Sequence, residues 1–281
     1  MADAVADSDL RLGARIGSAL VLGTIVILAA LAGGVWFNVV LVIAGSVAAF
    51  EWSRVTATAD ARATAGRFPL AMAIGLLGGV AAIALLDLGT TIGIALSAVV
   101  VSTVLAGLAA WFAGGRAIWT MLGVAVICGA MLALLMLRQW GAWPLIWLLA
   151  CVWASDIGAL AAGRTFQGPR IWVRVSPNKR WSGAAGGVVA AAVTSVAIGL
   201  GSGMGGDTED LSVTALLSGG VLVSVVAQCG DLAESAWKRH FGVKDSGTII
   251  PGHGGIIDRV DGLVAAAIML ALMPDVMGFA A

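Results

Sequence analysis

Asp231, Ser235 and Lys238 stand at i, i+4 and i+7, and Asp258 and Asp261 stand three residues apart, in a stretch that mixes charge with glycine and proline. On a helix the first set places a carboxylate, a hydroxyl and an ammonium on one face, and the second places two carboxylates one turn apart. Glu234 falls on the neighbouring stripe, to face solvent or pair with Lys238. Between the two sets, Gly247 to Gly255 with Pro251 and His253 is too permissive in backbone to continue a helix and reads as a shaped loop. A helix is expected to begin near Gly254 and Gly255, where free N–H groups suit phosphate oxygens. Carboxylate oxygens suit Mg²⁺, which commonly takes one or two carboxylates together with substrate phosphates. Carboxylate-held Mg²⁺, cationic side chains and a glycine-rich turn together specify phosphoryl or nucleotidyl transfer, a chemistry that is mostly electrostatic.

Two polar clusters precede this block. Ser155-Asp156 with Gly158, Gly163 and Arg164 puts a carboxylate within or just at the end of an apolar run, where it is costly and therefore a functional candidate: it would orient a basic residue or hold a metal-bound water. The loop Ser176-Pro177-Asn178-Lys179-Arg180-Trp181-Ser182-Gly183 offers fixed positive charge and small residues for a phosphate. Positive charge at a membrane surface and a Gly183-x-x-x-Gly187 packing face explain it almost as well. Asp156, Arg164, Ser176, Lys179, Gly254 and Gly255 are the candidate substrate and phosphate contacts.

The elements that carry these residues belong in a bilayer. Hydrophobic residues make up 60% of the 281 and charged residues 11%, with a mean hydropathy of +1.00, well beyond any soluble class. Crossing about 30 Å of hydrocarbon takes about 20 apolar residues. Such runs lie near 16–33, 35–50, 68–86, 89–113, 117–137, 140–162, 183–204, 211–230 and 256–276. They are continuous rather than alternating, so the expected fold is an all-α polytopic membrane protein of about nine transmembrane helices. Basic residues collect in the N-terminal stretch, in 51–67, at Arg116, in 163–182 and in 231–255, which places all of these and the N-terminus in the cytoplasm. The acidic loop 205–210 and the C-terminus then fall outside, with Arg138 the exception. Residues 1–140 read as spans for packing and lipid access, and 141–281 as the catalytic region with cytoplasmic loops 163–182 and 231–255. Glu51, beside Trp52, reads as a charge flanking a helix end. The net charge is +0, so no global field calls for nucleic acid. Cys128, Cys151 and Cys229 lie inside apolar runs without metal-ligand spacing and read as packing residues. Trp36, Trp52, Trp140, Trp143, Trp172, Trp181 and Trp237 fall near span ends, as an interfacial belt would.

Gly230-Asp231-Leu232-Ala233-Glu234 and the run Ser235 to Asp261 together resemble the signature of the phosphatidate cytidylyltransferases, or CDP-diacylglycerol synthases, over roughly residues 153–262. The resemblance implies transfer of CMP from CTP to phosphatidic acid, giving CDP-diacylglycerol and pyrophosphate in phospholipid biosynthesis. It implies a Mg²⁺ requirement, with a second cation left open. It makes Asp231 and Asp258 the metal-holding carboxylates, lines the substrate site with Ser235, Lys238 and Arg239, and completes it with Lys244, Asp245, His253, Arg259 and Asp261. It further implies a homodimer, multi-pass in the inner cell membrane among membrane lipid, with its active site facing the cytoplasm. The chain departs from the usual pattern at Arg180 and Ser182, and carries Leu160, Gln167 and Gly262 where Tyr, Gly and Ser are frequent.

Two other classes compete. A membrane transporter would place charges near the midplane and show inverted repeats, whereas here the charges gather on one side. A CDP-alcohol phosphatidyltransferase would carry Asp-x-x-Asp-Gly-x-x-Ala-Arg; Asp258-x-x-Asp261-Gly262 approaches it, but Ala265-Ala266 lacks the arginine.

Overall fold

The structure is a computed structural model that describes residue 17 and residues 20–57, 67–201, 212–249 and 254–273. The apolar runs form helices: α1 (Leu20–Ala32), α2 (Gly34–Thr56), α3 (Arg67–Asp87), α4 (Ile92–Phe112), α5 (Ala117–Gln139) and α6 (Ala142–Thr165). After α6 come β1 (Arg170–Trp172) and β2 (Ser176–Arg180), then α7 (Trp181–Gly201), α8 (Val213–His240) and α9 (Ile257–Leu272). Seven of these, α2 to α8, are long and apolar enough to cross a membrane. The expected spans 16–33 and 256–276 have ends outside the described residues, and α1 and α9 as described are shorter than a bilayer crossing needs.

The antiparallel hairpin β1–β2 pairs Arg170 with Arg180 and Trp172 with Ser176, an addition to the all-α expectation. Its five-residue second strand contains Pro177, a residue compatible with strands only at an edge.

The described chain divides into two compact units. The first takes the residues up to Leu132 together with Val243–Arg259, and the second takes Ala133–Gly242 together with the residues from Val260. In the first unit, α2 packs on α3 and α3 on α4. Trp52 and its indole N–H, which donates to the Trp119 carbonyl at 2.8 Å, face inward. Trp52 and Trp237 are both buried, so neither belongs to the interfacial belt, while Trp36, Trp143, Trp172 and Trp181 are exposed as expected.

In the second unit, α7 packs between α6 and α8. Small residues set the α6–α7 spacing: a Cβ on Gly158 would meet the Ala190 methyl at 2.5 Å and the Gly186 carbonyl at 2.7 Å, the close approach that membrane helices use. Buried polar side chains lock the layer. Ser155 and Ser224 share a hydrogen bond of 2.7 Å, Gln228 donates to Ser224 at 2.9 Å, and the Trp147 indole donates to Ser195 at 3.0 Å. Cys128 and Cys151 are buried, as packing residues are, and Cys229 is exposed.

Candidate active site

In the second unit α8 runs unbroken to His240, so residues 231–240 are helix rather than loop and the i, i+4, i+7 face exists. The Ser235 hydroxyl donates to Asp231 at 3.4 Å, a weak bond. Lys238 instead takes Glu234, one turn back, at 2.8 Å; their side chains are 11% and 8% exposed. Glu234, expected to face solvent or pair with Lys238, takes the pairing, and beyond that expectation Asp231, Glu234 and Asp261 each offer a carboxylate oxygen within 4.8 Å of the others. Its signal in the sequence was its spacing, three residues after Asp231.

Glycines next to each carboxylate bring α8 and α9 together. A Cβ on Gly230 would meet the Ala265 methyl at 2.6 Å and the Asp261 carbonyl at 2.9 Å, and one on Gly262 would meet the Ala227 carbonyl at 3.1 Å. Asp231 and Asp261 become neighbours because the residues beside them have no side chain. The hairpin supplies the counter-charge: Lys179, on β2, forms an ion pair with Asp231. Asp156 lies within α6 and not at its end, and Asp261 is within electrostatic reach of Asp231, Asp156 and Lys179. Asp231, Glu234 and Asp261, with Asp156 in electrostatic reach, outnumber Lys179 and Lys238, an all-oxygen donor set with a negative balance that fits a hard divalent cation.

The hairpin is tied down by the residues that depart from the family pattern. Gln167 has a φ of 53°, the left-handed region that favours glycine, and glycine is the frequent residue there. The Ser182 hydroxyl donates to the Gln167 carbonyl, and Arg180 Nη1 donates to the Gly168 carbonyl at 3.1 Å. The departures at 167, 180 and 182 thus meet at one turn, Ser182 holding Gln167 and Arg180 holding the adjoining Gly168. Ser176, at the start of β2, is half-buried, while Arg164 in the last turn of α6 and Arg239 in the last turn of α8 are exposed.

Asp258 belongs to the first unit and Asp231 to the second. Asp258 Oδ2 accepts from the amides of Gly255 at 2.9 Å and Ser246 at 3.0 Å and from the Ser246 hydroxyl at 3.0 Å. The Gly255 bond, reaching back three residues from the first turn of α9, is a capping-box contact. The amides of Ile256 and Ile257 donate to Glu51 at 2.9 and 3.1 Å. At the start of α9, therefore, the donors of Gly255, Ile256 and Ile257 are engaged by carboxylates of the chain. Glu51, expected as a charge flanking a helix, is 1% exposed; no local spacing links it to partners about two hundred positions away. Gly254 has a φ of 86°. Lys244, Asp245 and Arg259 are exposed, and His253 lies outside the described residues.

The Cytidylyltransferase family matches residues 13–277 of the chain. The phosphatidate cytidylyltransferase of Brucella abortus biovar 1 (strain 9-941) is 38% identical over 279 residues, covering 95% of this chain and 97% of the relative. That of Brucella suis biovar 1 (strain 1330) is 39% identical over 268 residues, 93% of each chain. That of Helicobacter pylori (strain J99 / ATCC 700824) is 43% identical over 136 residues, 48% of each.

Proposed function

The chain belongs to the cytidylyltransferase family, and on that premise we propose that it is a phosphatidate cytidylyltransferase, transferring CMP from CTP to phosphatidate to give CDP-diacylglycerol and pyrophosphate. The observation that carries this reading is near full-length similarity to proteins of that name, joined to a carboxylate and lysine cluster suited to phosphate chemistry.

A phosphate oxygen of phosphatidate attacks the α-phosphorus of CTP, the bond to the β-phosphate oxygen breaks, and pyrophosphate leaves with that electron pair. No covalent enzyme intermediate is needed. Asp231, Asp261 and Glu234 would hold Mg²⁺, and the family resemblance adds Asp258. When bound, the cation would neutralise charge on the transferred group and the leaving pyrophosphate. Lys179 and Lys238, each already held by a carboxylate, supply fixed positive charge that need not reorganise during reaction. Arg239, Lys244 and Arg259, all exposed, are placed to take phosphate oxygens from solution.

The protein crosses the membrane nine times from a cytoplasmic N-terminus, sits in the inner membrane as a homodimer and works at the cytoplasmic face. The orientation is supported by the concentration of Lys and Arg in the loops assigned to that side, and the homodimer by the family resemblance alone. Purified protein in detergent, given labelled CTP, phosphatidate and Mg²⁺, should form a lipid-linked label and release pyrophosphate in equal amounts. Folded protein that forms neither product sinks the reading.

A further inference from the structure

Glu51 lies near the C-terminal end of α2, far in sequence from the other carboxylates of the site, and is buried. A buried carboxylate is costly unless its oxygens are satisfied. Here both are: Oε1 accepts from the Ile256 amide at 2.9 Å, and Oε2 accepts from the Ile257 amide at 3.1 Å and the Ser246 hydroxyl at 3.0 Å. Those amides open α9, so the carboxylate also meets the positive end of that helix. Two loop glycines complete the seat. A Cβ on Gly247 would come within 2.6 Å of Glu51 Oε1, and one on Gly255 within 2.5 Å of Oε2. These glycines make room for a carboxylate supplied by α2.

Ser246 links that seat to Asp258. Its hydroxyl is 3.0 Å from Glu51 Oε2 and 3.0 Å from Asp258 Oδ2. A serine hydroxyl carries one proton, so the two carboxylates compete for it.

We propose that Glu51 is a positioning residue for Asp258: it fixes Ser246 and the start of α9, and accepts the Ser246 hydroxyl hydrogen bond when Asp258 turns its carboxylate towards a cation. The proposal rests on the reading of Asp258 as a metal-directed carboxylate.

Glu51→Gln and Ser246→Ala, each in the full chain, test it with little change of volume. The glutamine amide turns a donor towards donors, and the alanine deletes the shared hydroxyl. In metal-free protein, hydrogen exchange over 244–249 and 254–258 should accelerate about tenfold in both variants, with α6 and α8 unchanged. The kcat for CMP transfer should fall about tenfold to a hundredfold, with KM for phosphatidate within about twofold of the wild type. The double variant should lose less than the two single losses combined, because both variants remove the Ser246–Glu51 hydrogen bond. Unchanged exchange overturns the proposal, as do accelerated exchange with kcat near wild type or additive losses in the double variant. If Glu51→Gln cannot be recovered folded, Ser246→Ala decides by the first two measurements. Wild-type protein that transfers no CMP counts against the assigned activity alone, since the exchange experiment reads the hold of Glu51 on the loop without turnover.

Discussion

The hydroxyl of Ser182 donates to the backbone carbonyl of Gln167, 15 residues earlier, at the one non-glycine residue with positive φ among those described. The bond holds a left-handed turn ahead of the hairpin that carries Lys179. For a side-chain-bearing residue that conformation costs about 1–2 kcal/mol. Gln167→Gly should therefore stabilise the protein, raising its unfolding temperature in detergent by about 2–4 °C per kcal/mol recovered. An unchanged or lower midpoint would show that the glutamine carries no strain.

Glu234 and Lys238 are nearly buried and paired, so removing one partner takes this ion pair from a charge held largely away from water. Glu234→Gln should cost on the order of 3–5 kcal/mol of stability. Glu234→Leu combined with Lys238→Met should recover most of it, as an apolar pair can replace a buried ion pair, while turnover stays lost. Thermal unfolding and CMP transfer on the same samples separate the two effects. Restored turnover in the double variant would remove Lys238 from the substrate site.

Chelation should abolish turnover and added Mg²⁺ or Mn²⁺ should restore it. Asp231→Asn and Asp261→Asn should each weaken Mn²⁺ binding, followed by electron paramagnetic resonance, by about tenfold or more. Gly230→Val should do the same without touching a ligand, since its side chain would push α8 from α9 and part Asp231 from Asp261. Wild-type affinity in all three would place the cation elsewhere.

Asp258→Asn keeps an acceptor for the amides of Gly255 and Ser246, so the start of α9 should survive. Turnover should be abolished with the protein still folded. Retained turnover would reduce Asp258 to a helix cap.

The helices were legible because continuous apolar runs in lipid have no other way to satisfy their backbone. The i, i+4, i+7 face of Asp231, Ser235 and Lys238 was legible too, since one helix fixes its own spacing. Local periodicity carries no information about partners on other elements. It offered the Glu234–Lys238 pair, four residues apart on one helix, but could not tell that Asp261 joins Asp231. Nor could it show that the glycines at 247 and 255 make room for a carboxylate from α2.

The amino-acid sequence by itself determined the membrane setting, the helices and the residue types available for phosphate chemistry, because hydropathy and helical spacing act over a few turns. Only the tertiary structure decided which carboxylates meet. Gly230 and Gly262 let α8 and α9 touch, and the cost of burying Glu51 had to be met by donors about two hundred positions away.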